Sequence, residues 1–489
     1  MSADPQLTRL ANSVLWPGFL GTTAPDWLLR ALDEGLAGAV YFGQNVDTAD
    51  PHGTAALSRS LREHAPHALI GADEEGGNVT RLEAIGGSSY PGAAQLGRLD
   101  DLDATVAVHA AIGRRARRGG ITAVLGPDAD VNTNPRNPII GVRSFGSSAA
   151  DVSRHVAAAV TGLHAGGALA CAKHFPGHGD TVTDSHTGLP RVQLSRAVME
   201  RDHLPPFQAA IEAGVDAIMT AHVVFEEFGE LPATVNPDAL TWLRSLGFTG
   251  AIVTDALDMD AIRRTYGAGE GAVLSLAAGA DLLCIGNPAN WGARGEVDDE
   301  QDYLRVRDAV VAALAEGRLD PARVEEAAAR VATLVGSVPE PQQDTADPDA
   351  LAVVRPVIEV REGDSTHTTR PHLVIDARRG ATGAVAARNE PFAPALNARR
   401  VVVGIDAPDA PSSAAAIAAD AAHETVFVLA DALSLHAGQR AVVEAVRAAR
   451  PDAVVLDIGV PGEVAAPVIR TWGSNRPTAL AVAQSWSAR

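Results

Sequence analysis

Cysteine is almost missing from this chain: the 489 residues hold two, Cys171 and Cys284, each inside an apolar run. Two such residues give no disulfide framework, and they read as buried small hydrophobes rather than a bridge or a metal pair. Positive charge is also short. The formal net charge is −20, which argues against a nucleic-acid partner, because phosphate backbones are bound by neutralising Lys and Arg. It equally disfavours an anionic membrane surface, and the one basic cluster, Arg114, Arg115, Arg117 and Arg118, reads as the exposed end of a helix. No apolar run approaches the roughly 18 residues of a membrane span. The N-terminus MSADPQLTRLANS has no basic segment leading into an apolar one, so no signal peptide is expected and residence is expected to be cytoplasmic. No glycine-rich nucleotide fingerprint is present.

The remaining composition is that of a folded protein with a large core: 46% hydrophobic residues and a mean hydropathy of +0.04. Over the first two-thirds, short apolar runs alternate with amphipathic helical stretches. Eight runs qualify as strands: 14–19, 38–42, 68–72, 121–126, 168–173, 217–221, 251–254 and 281–285. Their uninterrupted apolar character fits parallel strands buried on both faces. Helical stretches such as 105–118, 153–164 and 201–212 lie between them, and two more follow at 301–315 and 321–334. The pattern predicts an α/β fold: a (β/α)8 TIM-type barrel over residues 1–336. A Pro- and Asp-rich linker is expected over 337–350, and a smaller C-terminal α/β sandwich over 351–489, with strands at 372–375, 401–405, 425–429, 453–458 and 478–482.

Polar residues gather just past the strand ends. Asp73-Glu-Glu-Gly-Gly77 follows the third strand, and Pro127-Asp-Ala-Asp130 with Arg143 the fourth. KHFPGHGDTVTDSHTGLP, from Lys173 to Pro190, follows the fifth; His222 ends the sixth, Asp255 the seventh, and Asn287 follows the eighth. In a barrel all these ends meet around one mouth. Asp255, at the end of a buried strand, is held rigidly enough for a nucleophile, although helix capping suits it equally. In Asp184-x-His186 the carboxylate can orient an imidazole that gives and takes protons near neutral pH. Asp73, Arg81, Arg143, Lys173 and His174 supply donors and acceptors suited to a polyhydroxylated ligand. A zinc site on His174, His178 and His186 is disfavoured, because Pro176 and the glycines break the helix that an i, i+4 pair needs.

Together KHFPGHGDTVTDSHTGLP, ADEEGGNVTRL, NPIIGVRSFG and IVTDALDM resemble glycoside hydrolase family three, in its β-N-acetylglucosaminidase branch, over roughly residues 10–335. The resemblance implies a retaining β-N-acetylglucosaminidase with Asp255 as nucleophile, His186 as general acid/base and Asp184 as its partner. It assigns the sugar to Asp73, Arg81, Arg143, Lys173 and His174. It implies no metal and no cofactor, and a small carbohydrate as the partner. The family's E-G-G-R is here Glu75-Gly76-Gly77-Asn78, a change expected to alter loop support rather than sugar binding. A neutral imidazole base does not repel an anionic acceptor, so inorganic phosphate could replace water, giving a phosphorylase. A plain β-glucosidase or β-xylosidase and a non-catalytic sugar-binding protein are the remaining alternatives. The physiological glycoside (muropeptide fragment, chitin oligomer or glycoconjugate) stays open.

Overall fold

The computed structural model describes residues 4–47, 50, 52–183, 188–289, 298–341, 346–361, 370–379 and 390–487. Among the described residues, eight strands form the N-terminal barrel: β1 (Leu15–Pro17), β2 (Gly38–Tyr41), β3 (Leu69–Ala72), β4 (Ala123–Val124), β5 (Leu169–Phe175), β6 (Ala217–Thr220), β7 (Ala251–Val253) and β8 (Leu283–Gly286). Six of them pair in parallel in the order β7-β6-β5-β4-β3-β2, and β1 pairs in parallel with β8. A parallel bridge from Val253 to Leu282 carries the curl from β7 to β8, and Ala37 N–H donates to Asn12 O where β1 and β2 begin. The curled sheet is the expected barrel, and all eight predicted strands fall on it.

Side-chain alternation divides each strand between two cores. Outward residues such as Leu15, Tyr41, Ile70, Ala170, Ile218 and Ile252 pack against the surrounding helices. Inward residues, among them Trp16, Val40, Leu69, Leu169, Cys171, Met219, Val253 and Cys284, fill the barrel. Val331 and Leu334 of the helix Pro321–Gly336 pack into this inner core. Trp16 is its largest member, and its indole N–H donates to Leu69 O at 2.8 Å. A Cβ on Gly71 would lie 2.3 Å from that ring, so glycine makes the room for it. Both cysteines are free and buried, as their sequence context predicts.

The helices start where their sequence says they should. Asp101, Asp298 and Asp320 cap the helices Leu102–Arg118, Asp299–Ala315 and Pro321–Gly336 with side-chain acceptors. The single helix expected over 201–212 is instead two, Arg196–Asp202 and Pro205–Glu212. Pro205 and Pro206 lack the amide hydrogens a continuous helix needs and begin a new one.

Among the described residues of the C-terminal part the strands are β9 (Glu359–Arg361), β10 (His372–Asp376), β11 (Ala398–Val402), β12 (Thr425–Ala430), β13 (Val454–Asp457) and β14 (Val468–Arg470). They lie in the order β9-β14-β13-β12-β10-β11, parallel except for β9 against β14. One face packs on the helices Ala410–Asp420 and Ala437–Ala449, the other on Arg476–Ser487. Two expectations are corrected here. The stretch 478–482 is helix rather than strand, because Asn475 Oδ1 accepts from Thr478 N–H at 2.9 Å and caps an alanine-rich run. The edge strand expected at 401–405 runs from Ala398 to Val402. Across the two parts, Gln95 Nε2 donates to Thr471 O and Thr478 Oγ1, and the Arg98 guanidinium lies 3.9 Å from the centre of the Trp472 ring.

Candidate active site

Period-two alternation continues past the strands and determines what enters the barrel mouth. Leu69 and Gly71 lead to Asp73, Leu169 and Cys171 to Lys173, and Ala251 and Val253 to Asp255. Each is the next inward position of its strand. Contacts bear out the first two: Lys173 Nζ lies 2.6 Å from Asp73 Oδ1 and 2.8 Å from Glu75 Oε1. Arg81 donates to the other Asp73 oxygen at 2.8 Å, and Arg143 holds Glu75 through Nε at 3.0 Å and Nη2 at 2.8 Å. Three cations and two carboxylates thus form one connected cage over strands 100 residues apart. Lys173 is the only lysine in the sequence, and 2% of its side chain is exposed.

Burial alone would neutralise these groups; their partners prevent it. Burial pushes the Asp73 carboxyl up, but Lys173 and Arg81 outweigh it and hold the group well below the usual carboxylate range. Glu75 is likewise raised by burial and brought down by Arg143 and Lys173, to about 2. The same carboxylates overcome the burial of Lys173 and raise its ammonium above the ordinary value. Asp128 behaves in the opposite way. Burial, reinforced by the charges of Asp130 and Glu75, lifts it well above the usual range, although Arg143 Nη2 lies 3.5 Å away.

His174 is placed by a residue the sequence reading left without a role. Its Nδ1–H donates to Asp130 Oδ2 at 2.7 Å, and Asp130 Oδ1 accepts from the His178 amide. Burial is again outweighed at Asp130, by His174 and His178, leaving it at about 2. The His178 ring faces Thr181, and Asp180 accepts from Thr133, so both shape the loop. A Cβ on Gly179 would come within 1.8 Å of Val131 O, and Asn137 donates to His178 O at 2.7 Å. The segment from Lys173 to Thr181 is therefore fastened to the loop after β4. Asp184 and His186 lie outside the described residues. Asp128, Asp130 and His174 present metal-type ligand atoms within 4.8 Å of one another. The hydrogen bonds just described already engage Asp130 and His174 Nδ1.

Asp255 is half-buried at the end of β7, and its Oδ1 accepts from Ala256 N–H at 2.8 Å. Its charge acts on Cys171, Cys284 and His178, and that of Asp73 acts on both cysteines, so the two carboxylates share the mouth. The loop carrying Asp255 is fixed by His222, whose Nε2–H donates to Ala256 O at 2.8 Å while Nδ1 accepts from Thr234. Glu75, Asp130 and His222 are the residues whose roles sequence reasoning missed. Their signal was a charged or imidazole group within a few residues of the end of an apolar run. Asn78 lies at the boundary with the C-terminal part, where its Oδ1 accepts from Ser474 N–H at 2.6 Å. That is support of a loop.

A parallel α/β barrel that gathers a strand-end carboxylate and a buried cage of cations and carboxylates at its mouth can hold a polyhydroxylated ligand and bring a carboxylate to it. The chain belongs to glycosyl hydrolase family 3, whose N-terminal domain description matches residues 28–334. It is 33% identical over 345 residues to beta-hexosaminidase A of Pseudoalteromonas piscicida, a match spanning 65% of this chain and 56% of that protein. To the beta-hexosaminidase of Neisseria meningitidis serogroup C it is 32% identical over 289 residues, 57% of this chain and 78% of the relative. The structure of a family 3 beta-N-acetylglucosaminidase from Paenibacillus sp. str. FPU-7 superposes with a TM-score of 0.83 at 30% identity, covering 99% of this chain and 96% of that one. No helix among the described residues is long and apolar enough to cross a membrane.

Proposed function

We propose that the protein is a retaining β-N-acetylglucosaminidase acting on terminal β-N-acetylglucosaminides. The observation that carries this is the Asp73–Lys173–Glu75–Arg143 cage beside Asp255. Sugar hydroxyls need fixed donors and acceptors in water's absence, and the cage supplies charged ones held against reorganisation. In this reading Asp73, Arg81, Arg143, Lys173 and His174 position the sugar. Asp255 attacks the anomeric carbon while His186, oriented by Asp184, protonates the departing oxygen. The glycosyl–Asp255 ester then forms through an oxocarbenium-like transition state, and His186 deprotonates the acceptor that cleaves it. The names of the relatives support the substrate, and the depressed carboxyls of Asp73 and Glu75 support a cage charged across the working pH range.

A second acceptor belongs to the same reading: an imidazole base, neutral once deprotonated, admits inorganic phosphate where a carboxylate would repel it. The test is an assay of a β-N-acetylglucosaminide with a good leaving group, with and without phosphate, identifying the sugar released. Free N-acetylglucosamine under both conditions is the expected result. A phosphate-dependent rate giving the sugar phosphate would make the enzyme a phosphorylase, and no turnover of the glycoside under either condition would overturn the reading.

A further inference from the structure

A cavity of about 360 Å³ lies at the opposite end of the barrel from the sugar cage, where Leu69 and Thr122 mark the amino ends of β3 and β4. Its volume is that of a small-ligand pocket. The two faces differ in chemistry. Arg62 from the helix Gly53–His64, Arg117 from the helix Leu102–Arg118, and His67 form one face. Val335 and Val338, packed against the inner barrel core, form the other.

The basic run at the end of the helix Leu102–Arg118 divides by partner. Arg114 pairs with Asp347 at 2.9 Å and Arg115 with Glu83 at 3.0 Å. Arg117 is half-buried, and among the described residues its guanidinium has no hydrogen bond or ion pair. Arg62 is also half-buried; its Nη2 donates to Gly120 O at 2.6 Å, and no carboxylate among the described residues lies within ion-pair distance. Gly120 has a φ of +78°, and a Cβ there would lie 2.4 Å from Ser58 Cβ, so the turn presenting this carbonyl requires glycine. Burial pushes the Arg62 guanidinium below its ordinary value; Tyr41 offsets part of that, and the Arg117 charge adds to it. Glu340, the one carboxylate lining the cavity, is exposed and pairs with neither arginine. Two like charges partly withdrawn from water without a counter-charge destabilise the folded chain, and a bound anion relieves them.

We infer that this cavity binds a phosphate monoester with a compact apolar body, the phosphate between Arg62 and Arg117 and the body against Val335 and Val338. A phosphate group carries a charge of about −1.5 to −2 near neutrality, which two guanidiniums match and a single carboxylate does not. His67, exposed at the rim, supplies a further ring nitrogen. The site stands apart from the sugar cage and does not rest on the glycosidase reading.

The experiment measures the Tm of the full chain with phenyl phosphate, inorganic phosphate or benzoate, against sodium chloride at matched ionic strength, for wild type, Arg117→Gln and Arg62→Gln. Saturating phenyl phosphate should raise the wild-type Tm by roughly 3 °C, with a smaller rise from inorganic phosphate and almost none from benzoate. Arg117→Gln removes no contact, so its Tm in chloride should match that of wild type within about 1 °C, and its response to phenyl phosphate should vanish. Arg62→Gln, which gives up the bond to Gly120 O, should lose the same response from a lower starting Tm. No shift in wild type would overturn the inference. A shift undiminished in Arg117→Gln would place the anion elsewhere, the cage included, and would overturn it equally. Equal shifts from inorganic phosphate and phenyl phosphate would refute the apolar half of the site. None of these readouts uses glycoside turnover, so their outcome leaves the glycosidase reading to its own assay.

Discussion

Lys173 sits where two carboxylates from another strand converge, and as the only lysine it reports on the site by itself: selectively labelled lysine gives one NMR signal, from the cage. Removing it leaves Asp73 and Glu75 facing each other without the cation between them. Breaking a buried ion pair from one side typically costs ~3–5 kcal/mol. Lys173→Met is therefore expected to lower the unfolding free energy by about that amount and to abolish turnover, read by urea unfolding and by glycoside assay. Asp128 is the contrasting neighbour. Burial together with the Asp130 and Glu75 charges raises its carboxyl, so the folded protein favours the neutral acid. Such a group stabilises fully at low pH and loses that contribution as pH rises. Asp128→Asn keeps the acceptor for the Asp130 amide at 2.9 Å and is expected to change stability by less than about 1 kcal/mol near neutrality. A loss as large as that of Lys173→Met would mean that the carboxylate is ionised.

Among the elements, strands were the most legible. The eight apolar runs fell on β1 to β8 because a parallel strand covered on both faces cannot tolerate polar interruption. Where apolar runs were rich in alanine the reading failed. Residues 478–482 looked like a strand, and the deciding signal was Asn475 three residues before Thr478, a cap followed by Pro477 in the first turn. The end of β13 carries a test at this scale. Burial pushes the Asp457 carboxyl from 3.8 up to about 7, so the folded chain holds a proton that the unfolded chain releases. The associated stability is complete below about pH 4 and disappears as pH rises through about 7. Asp457→Asn should raise Tm progressively between about pH 4 and pH 8 relative to wild type, with the gain levelling off above that range. A gain independent of pH would contradict the shifted carboxyl.

At the scale of the whole molecule, the sequence announced which strand ends meet but not how their side chains are coupled. Asp73, Lys173 and Asp255 were legible because inward positions recur every second residue. Glu75, Asp130 and His222 were not, because their partners lie on other strands and only the closed barrel brings them together. The pairing of the second sheet with the barrel loop 137–143 was equally invisible, since neither segment carries a motif for the other. In the proposed reaction Asp255 is the group that bonds to the sugar. The most direct test is to trap the intermediate with a fluorinated N-acetylglucosaminyl fluoride, whose glycosyl-enzyme breaks down slowly, and to map the modified residue by peptide mass spectrometry. The expected result is one sugar per chain, esterified to Asp255, and no labelling of Asp255→Ala. A label on any other carboxylate, or undiminished labelling of the Asp255→Ala variant, would contradict it.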